Sequence, residues 1–262
     1  MKIACFIMGT TKPQRLAWLA ESLKYLDNQD FPFHEKIISI DKIGNNQLDS
    51  KIEGELQLRG WKIIKHTFAD RGKCMRDALA QISSDFIFYN EDDILVKMPK
   101  YNDVHEAFDI RDLNGRTCGL LSFSLGGTKH DDGKKNFGDL ADIKENILLE
   151  KEDYLVFKRL EEKKDDYFFE FPALFARKDI FVSCANFAPL NSMEYDLTKA
   201  YFNQNFDSKY YKATICKHSI FDVLETYKHT YYRELKETAK LTRLLDENQG
   251  GIYWDLKKIP ML

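Results

Sequence analysis

The first ninety residues alternate apolar strand signals with helical ones, and this alternation constrains the fold more than any other feature of the chain. Lys2–Met8 reads as a buried strand ending at Gly9. Thr10 and Thr11 offer an N-cap, and Pro13 suits a first helical turn. Leu16, Leu19, Ala20, Leu23 and Leu26 then recur at helical spacing as far as Asn28. Phe33–Ile40 is a second strand, stopped at Asp41. Ile43–Gln47 reads as a loop and Leu48–Leu58 as a short helix ending at Gly60. Trp61–Phe68 is a third strand and Gly72–Ile82 a helix. Phe86–Tyr89 is a fourth strand, running straight into Asn90-Glu91-Asp92-Asp93.

Strands separated by helices of this length imply parallel βαβ units around a buried sheet. In such sheets ligands bind outside the carboxyl ends of the strands. The polar residues to weigh are therefore Thr10, Thr11, Asp41, Asp70 and the run Glu91–Asp93. Three adjacent carboxylates repel one another unless a cation joins them. Hard oxygen ligands suit magnesium or manganese, which can bridge a diphosphate. The same run would also serve as a solvated acidic turn or a helix N-terminus.

The second half changes character. Cys118–Ser124 reads as a strand, followed by the Gly/Lys/Asp-rich loop Gly126–Gly138. Asp153–Leu160 and Tyr167–Ala176 read as two strands joined by the charged turn Glu161–Asp166. Ser192–Phe202 looks helical, Tyr211–Cys216 is a strand, and Lys228–Glu247 is a long helix stopped by Gly250-Gly251. No internal repeat or linker divides the chain, so one α/β domain over 1–262 is expected.

Composition removes several alternatives. At 44% hydrophobic and 13% aromatic, with Gly 13 and Pro 6, the chain is neither disordered nor collagenous. A net charge of −3 argues against nucleic acid as a partner. No segment has the roughly 18 apolar residues of a bilayer span. Ile3–Met8 is too short for a secretory signal and fits a first strand better. Cys5, Cys74, Cys118, Cys184 and Cys216 lack CxxC spacing, which argues against a zinc ribbon or disulfide framework and for a reducing, cytoplasmic setting.

Four stretches carry a resemblance: Ile3–Thr11, Ile37–Asp41, Arg71-Gly72-Lys73-Cys74-Met75-Arg76-Asp77-Ala78-Leu79, and Phe86–Asp93. Together they resemble the GT-A-fold nucleotide-sugar glycosyltransferases, with Glu91-Asp92-Asp93 in the place of the DxD-type motif. The resemblance is good over the first hundred residues and patchy afterwards. It implies a single GT-A (Rossmann-like) domain with a mostly parallel central sheet flanked by helices and a smaller, irregular β-containing acceptor half. On that pattern 1–100 binds the nucleotide sugar, 101–227 the acceptor, and 228–262 is a C-terminal helix and tail. It also implies that Thr10 and Thr11 meet the nucleotide and that Asp41 contacts base or ribose. Arg76 would lie near base and phosphates. Glu91 and Asp92 would face ribose and metal-bound water, and Asp93 would bind Mn²⁺ or Mg²⁺. Asp77 departs from the pattern, where Asn often follows the arginine, and reads as a partner for Arg76 or Lys73. Taken alone, Asp41 also fits a strand-end turn, Arg76 a surface helix charge, and Arg15 a solvated helix residue rather than a phosphate ligand.

Inverting sugar transfer needs a general base beside the acceptor hydroxyl. Ser192-Met193-Glu194-Tyr195-Asp196-Leu197 is similar to the Glu-Asp-x-Asp-Leu pattern that supplies it, with Tyr195 replacing one acid. Glu194 is the preferred base and Asp196 the alternative, although acids also suit a first helical turn for its dipole. The same resemblance implies that His218, after the last core strand, would complete the metal site or touch the diphosphate. His34 and His66 look like ordinary strand residues, and His130-Asp131-Asp132 a solvated or acceptor-side loop. Lys228, Arg233, Lys236, Lys240 and Arg243 read as a solvated face or as a peripheral membrane contact to a lipid-linked acceptor.

The expectation is a metal-dependent, inverting glycosyltransferase, with a UDP-linked donor favoured over GDP and a carbohydrate, lipid-linked or glycoprotein acceptor. The rivals are a nucleotidyltransferase and a non-catalytic nucleotide- or carbohydrate-binding module of the same fold.

Overall fold

A computed structural model describes residues 1–10, 13–41, 50–68, 70–92, 94–123, 145–159, 168–169, 173–217 and 226–228. The opening alternation is realised as β1 (Ile3–Thr10), α1 (Pro13–Asp27), β2 (Glu35–Asp41), α2 (Ser50–Leu58), β3 (Trp61–Lys65), α3 (Arg71–Leu79) and β4 (Phe86–Glu91). The four strands pair in parallel in the order β3-β2-β1-β4. β5 (Ile94–Val96) and α4 (Tyr101–Asp109) follow, then β6 (Thr117–Phe123), β7 (Ile147–Glu150), β8 (Tyr154–Lys158) and β9 (Ala173–Arg177). The described chain closes with α5 (Lys178–Phe187), α6 (Met193–Asn203), β10 (Tyr210–Lys217) and β11 (Thr226–Lys228).

One nine-stranded sheet, β3-β2-β1-β4-β9-β6-β10-β8-β7, runs through both halves. The period-two side-chain alternation of β1 explains why its sequence is apolar throughout. Ile3, Cys5 and Ile7 face α1 and α4 with Leu19, Leu23, Phe88, Val104 and Phe108. Ala4, Phe6 and Met8 face α3, α5 and α6 with Met75, Tyr89, Phe181, Leu197 and Tyr201. Each such large side chain, fully enclosed, stabilises the fold by roughly 1.5–3 kcal/mol.

The second half departs from its sequence reading in several places. β8 and β9 are not a hairpin: β8 pairs with β10 and β7, whereas β9 lies antiparallel between β4 and β6. The four-residue strand β7 has too short a pattern to have been read. The segment Lys178–Phe187, rich in β-branched and aromatic residues, is a helix. It buries Ile180, Phe181, Cys184 and Ala185, a helical spacing that overrides local propensity. Lys228, read as the start of a helix, ends β11 instead, because Thr226–Lys228 pairs with β5. The remainder of that helix, the Gly126–Gly138 loop and the Glu161–Asp166 turn lie outside the described residues.

Candidate active site

Strand direction gathers the polar residues. β9 is antiparallel to both β4 and β6, and β10 is parallel to β6, so β1, β2, β3, β4, β6 and β10 all end at one edge. The strand order reverses between β1 and β4, where ligands enter α/β sheets. The register is direct: Thr10 pairs with Asp41 across β1 and β2, and Met8 pairs with Glu91 across β1 and β4. Thr10 is half-buried and Asp41 is buried. Thr10, Asp41, Glu91 and Asp92 therefore lie at one edge of the sheet.

Two arginines that the sequence reading did not place there hold the acidic run. Arg15, from the first turn of α1, forks onto Asp92: its Nε donates to Oδ2 at 3.1 Å and an Nη donates to Oδ1. The Asp92 side chain is only 1% exposed, so Arg15 is not the solvated helix residue its sequence suggested. Arg71, the first residue of α3, lies 4.0 Å from Glu91. Burial alone would weaken Arg71's hold on its proton, but Tyr89, Glu91 and Asp92 reverse this and raise its pKa. Burial, supported by Glu91 and Asp92 and opposed by Arg71, likewise raises Tyr89, which stays a neutral phenol. An available signal for Arg71 was its place one residue after a helix cap at the carboxyl edge. Arg15 had no local signal.

Asp70 is that cap: its carboxylate accepts from the Lys73 amide at 2.9 Å. It therefore serves the start of the helix. Arg76, farther along α3, points its guanidinium at the Ala188 carbonyl at 3.4 Å. Asp77 is exposed and lies 4.0 Å from His66, not against Arg76 or Lys73. Gly72 is required by a close approach, since a Cβ there would sit 2.8 Å from the Leu190 Cβ. That contact seats the segment leading into α6 on the start of α3.

α6 carries both candidate bases in its first turn. Asp196 accepts from the Ser192 amide at 3.0 Å, closing the helix start on itself, and Glu194 is exposed. Leu197, Ala200 and Tyr201 are buried, as their spacing required. Thr11, Asp93, His218 and the His130-Asp131-Asp132 stretch lie outside the described residues. Among the described residues no group of three His, Cys, Asp or Glu side chains is gathered as a metal site. Also among them, no helix is long and apolar enough to cross a membrane.

No protein-family model matches the chain, and no curated protein matches it in sequence. Solved structures do. S. aureus TarS is similar over 95% of this chain and 40% of its own, at 15% identity and a TM-score of 0.57. Its fragment 1–349 is similar over 82% of this chain and 58% of that one, at 15% identity and a TM-score of 0.54. The same fragment in complex with UDP-GlcNAc covers the same shares, at 17% identity and 0.53. The chain spans well under two thirds of the length of these structures. The likeness establishes the fold: this is a GT-A fold, an α/β domain with a large, mostly parallel sheet flanked by helices.

Proposed function

We propose that the chain is a metal-dependent, inverting glycosyltransferase that moves a sugar from a UDP-linked donor to a hydroxyl of a carbohydrate, lipid-linked or glycoprotein acceptor. The observation that carries this reading is the register that ends Thr10, Asp41 and Glu91 at one edge of a GT-A sheet, on the three strands beside the reversal of strand order between β1 and β4. A UDP-linked donor is supported by the similar TarS fragment, whose structure is a complex with UDP-GlcNAc.

Thr10, Thr11 and Asp41 would hold the nucleoside, with Arg76 toward base and phosphates and Glu91 at the ribose. The metal reading rests on Asp93, whose carboxylate suits Mn²⁺ or Mg²⁺, with His218 as a second donor. Such an ion, when bound, neutralises the charge of the departing diphosphate. Glu194 takes the proton from the acceptor hydroxyl as that oxygen attacks the anomeric carbon. This choice is supported by Asp196, whose carboxylate is drawn back to the Ser192 amide.

The test is a pair of variants. Asp93→Ala should abolish sugar transfer and remove the Mn²⁺-dependent part of UDP binding. Glu194→Gln should keep UDP binding and lose at least about a hundredfold in turnover. Undiminished transfer by Asp93→Ala would overturn the metal assignment, and full turnover by Glu194→Gln the choice of base.

A further inference from the structure

The face of α1 that meets the acidic run is built from residues one heptad apart. Arg15 grips the Asp92 carboxylate with two donors and packs its guanidinium 5.3 Å from the Trp18 ring centre. Ser22, fully buried, places its hydroxyl 3.1 Å from the Asp92 carbonyl and 2.9 Å from the Ile94 carbonyl. Asn90 donates from Nδ2 to the same Ile94 carbonyl at 3.0 Å. Just beyond α1, Gln29 donates to the Val96 carbonyl at 2.8 Å and accepts from the Met98 amide at 2.6 Å. One helix and its tail thus hold the chain at residues 92, 94, 96 and 98.

This arrangement makes Asp92 a poor ligand. Its side chain is 1% exposed, and both carboxylate oxygens face one arginine. We infer that Arg15 is a positioning residue: it anchors Asp92 to α1, so that Glu91 and not Asp92 is left to face a donor. Removing Arg15 leaves a buried carboxylate without its fork-shaped partner, beside the neighbours that must meet a diphosphate. Breaking one side of such a pair costs far more than deleting both sides.

The inference rests on the proposed reading for its link to UDP, so the experiment separates the two. The Mn²⁺-dependent affinity for UDP is measured by calorimetry on the full chain for Arg15→Met, Asp92→Asn and the double variant. Arg15→Met should lose at least about tenfold, as loss of a supporting partner does. Arg15→Met with Asp92→Asn should return to within about threefold of the unaltered chain, because the buried charge that Arg15 held is gone. Arg15→Lys keeps the charge but not the fork, and should give an intermediate loss even if Arg15→Met fails to fold. No recovery in the double variant would overturn the inference and make Arg15 a direct phosphate contact. If the unaltered chain binds no UDP, the proposed function fails. Urea unfolding then decides the anchor alone: a double variant more stable than the summed single losses supports it, and additive losses refute it.

Discussion

Leu190 has φ 59°, a left-handed conformation that is costly for a branched side chain, yet it is buried at 6% exposure. It stays there because Gly72 lets it lie against the first turn of α3. Gly72→Ala would drive a methyl group into the Leu190 Cβ. The expected loss is about 1–3 kcal/mol in urea unfolding, as for other overpacked sites. Because α6 begins just beyond Leu190, turnover should fall further than UDP affinity. At this scale the sequence was informative only where a signal is local. Thr10, Asp41 and Glu91 stand at strand ends, and strand ends are visible in apolar runs. Arg15 and Asp92 are 77 positions apart, and nothing in the composition of either neighbourhood points to the other. The Gly72–Leu190 contact was hidden for the same reason.

Elements meet through buried polar bridges as well as through the core. Ser39 of β2 stands between the His66 Nε2 at 2.9 Å and the Cys74 carbonyl of α3 at 3.2 Å, and His66 lies 4.0 Å from Asp77. Burial lowers the His66 pKa below its ordinary 6.5, with Lys73 assisting and Asp77 opposing. The unfolded chain therefore takes up a proton at a higher pH than the folded one. Stability from this site is complete above pH 6.5 and declines as pH falls toward the lower folded value. Melting temperatures should drop between pH 7 and pH 5.5, and His66→Gln should flatten that part of the profile. The sequence showed His66 as an ordinary strand residue because its partners come from two other elements. Helical spacing was readable in α1 and α6, whereas α5 was masked by its own β-prone composition. β9 was placed close to its true position in sequence but assigned the wrong neighbour, since strand pairing is decided by tertiary context.

The sheet is continuous from β3 to β7, so the first and second halves of the chain share hydrogen bonds instead of meeting across a linker. Trp18 and Trp61 are both buried in the first half. Their fluorescence should therefore change at the same urea concentration as the far-ultraviolet circular dichroism of the whole chain, in one transition. Two separated midpoints would show that the halves unfold independently. The same sheet imposes an order on synthesis. β4 is complete at Glu91 and β6 at Phe123, but the strand that belongs between them begins only at Ala173. A nascent chain emerging from the ribosome can close its first four parallel strands early. It must then leave the exposed edge of β4 open, an adhesive margin for wrong partners, until Ala173–Arg177 arrives to seal it.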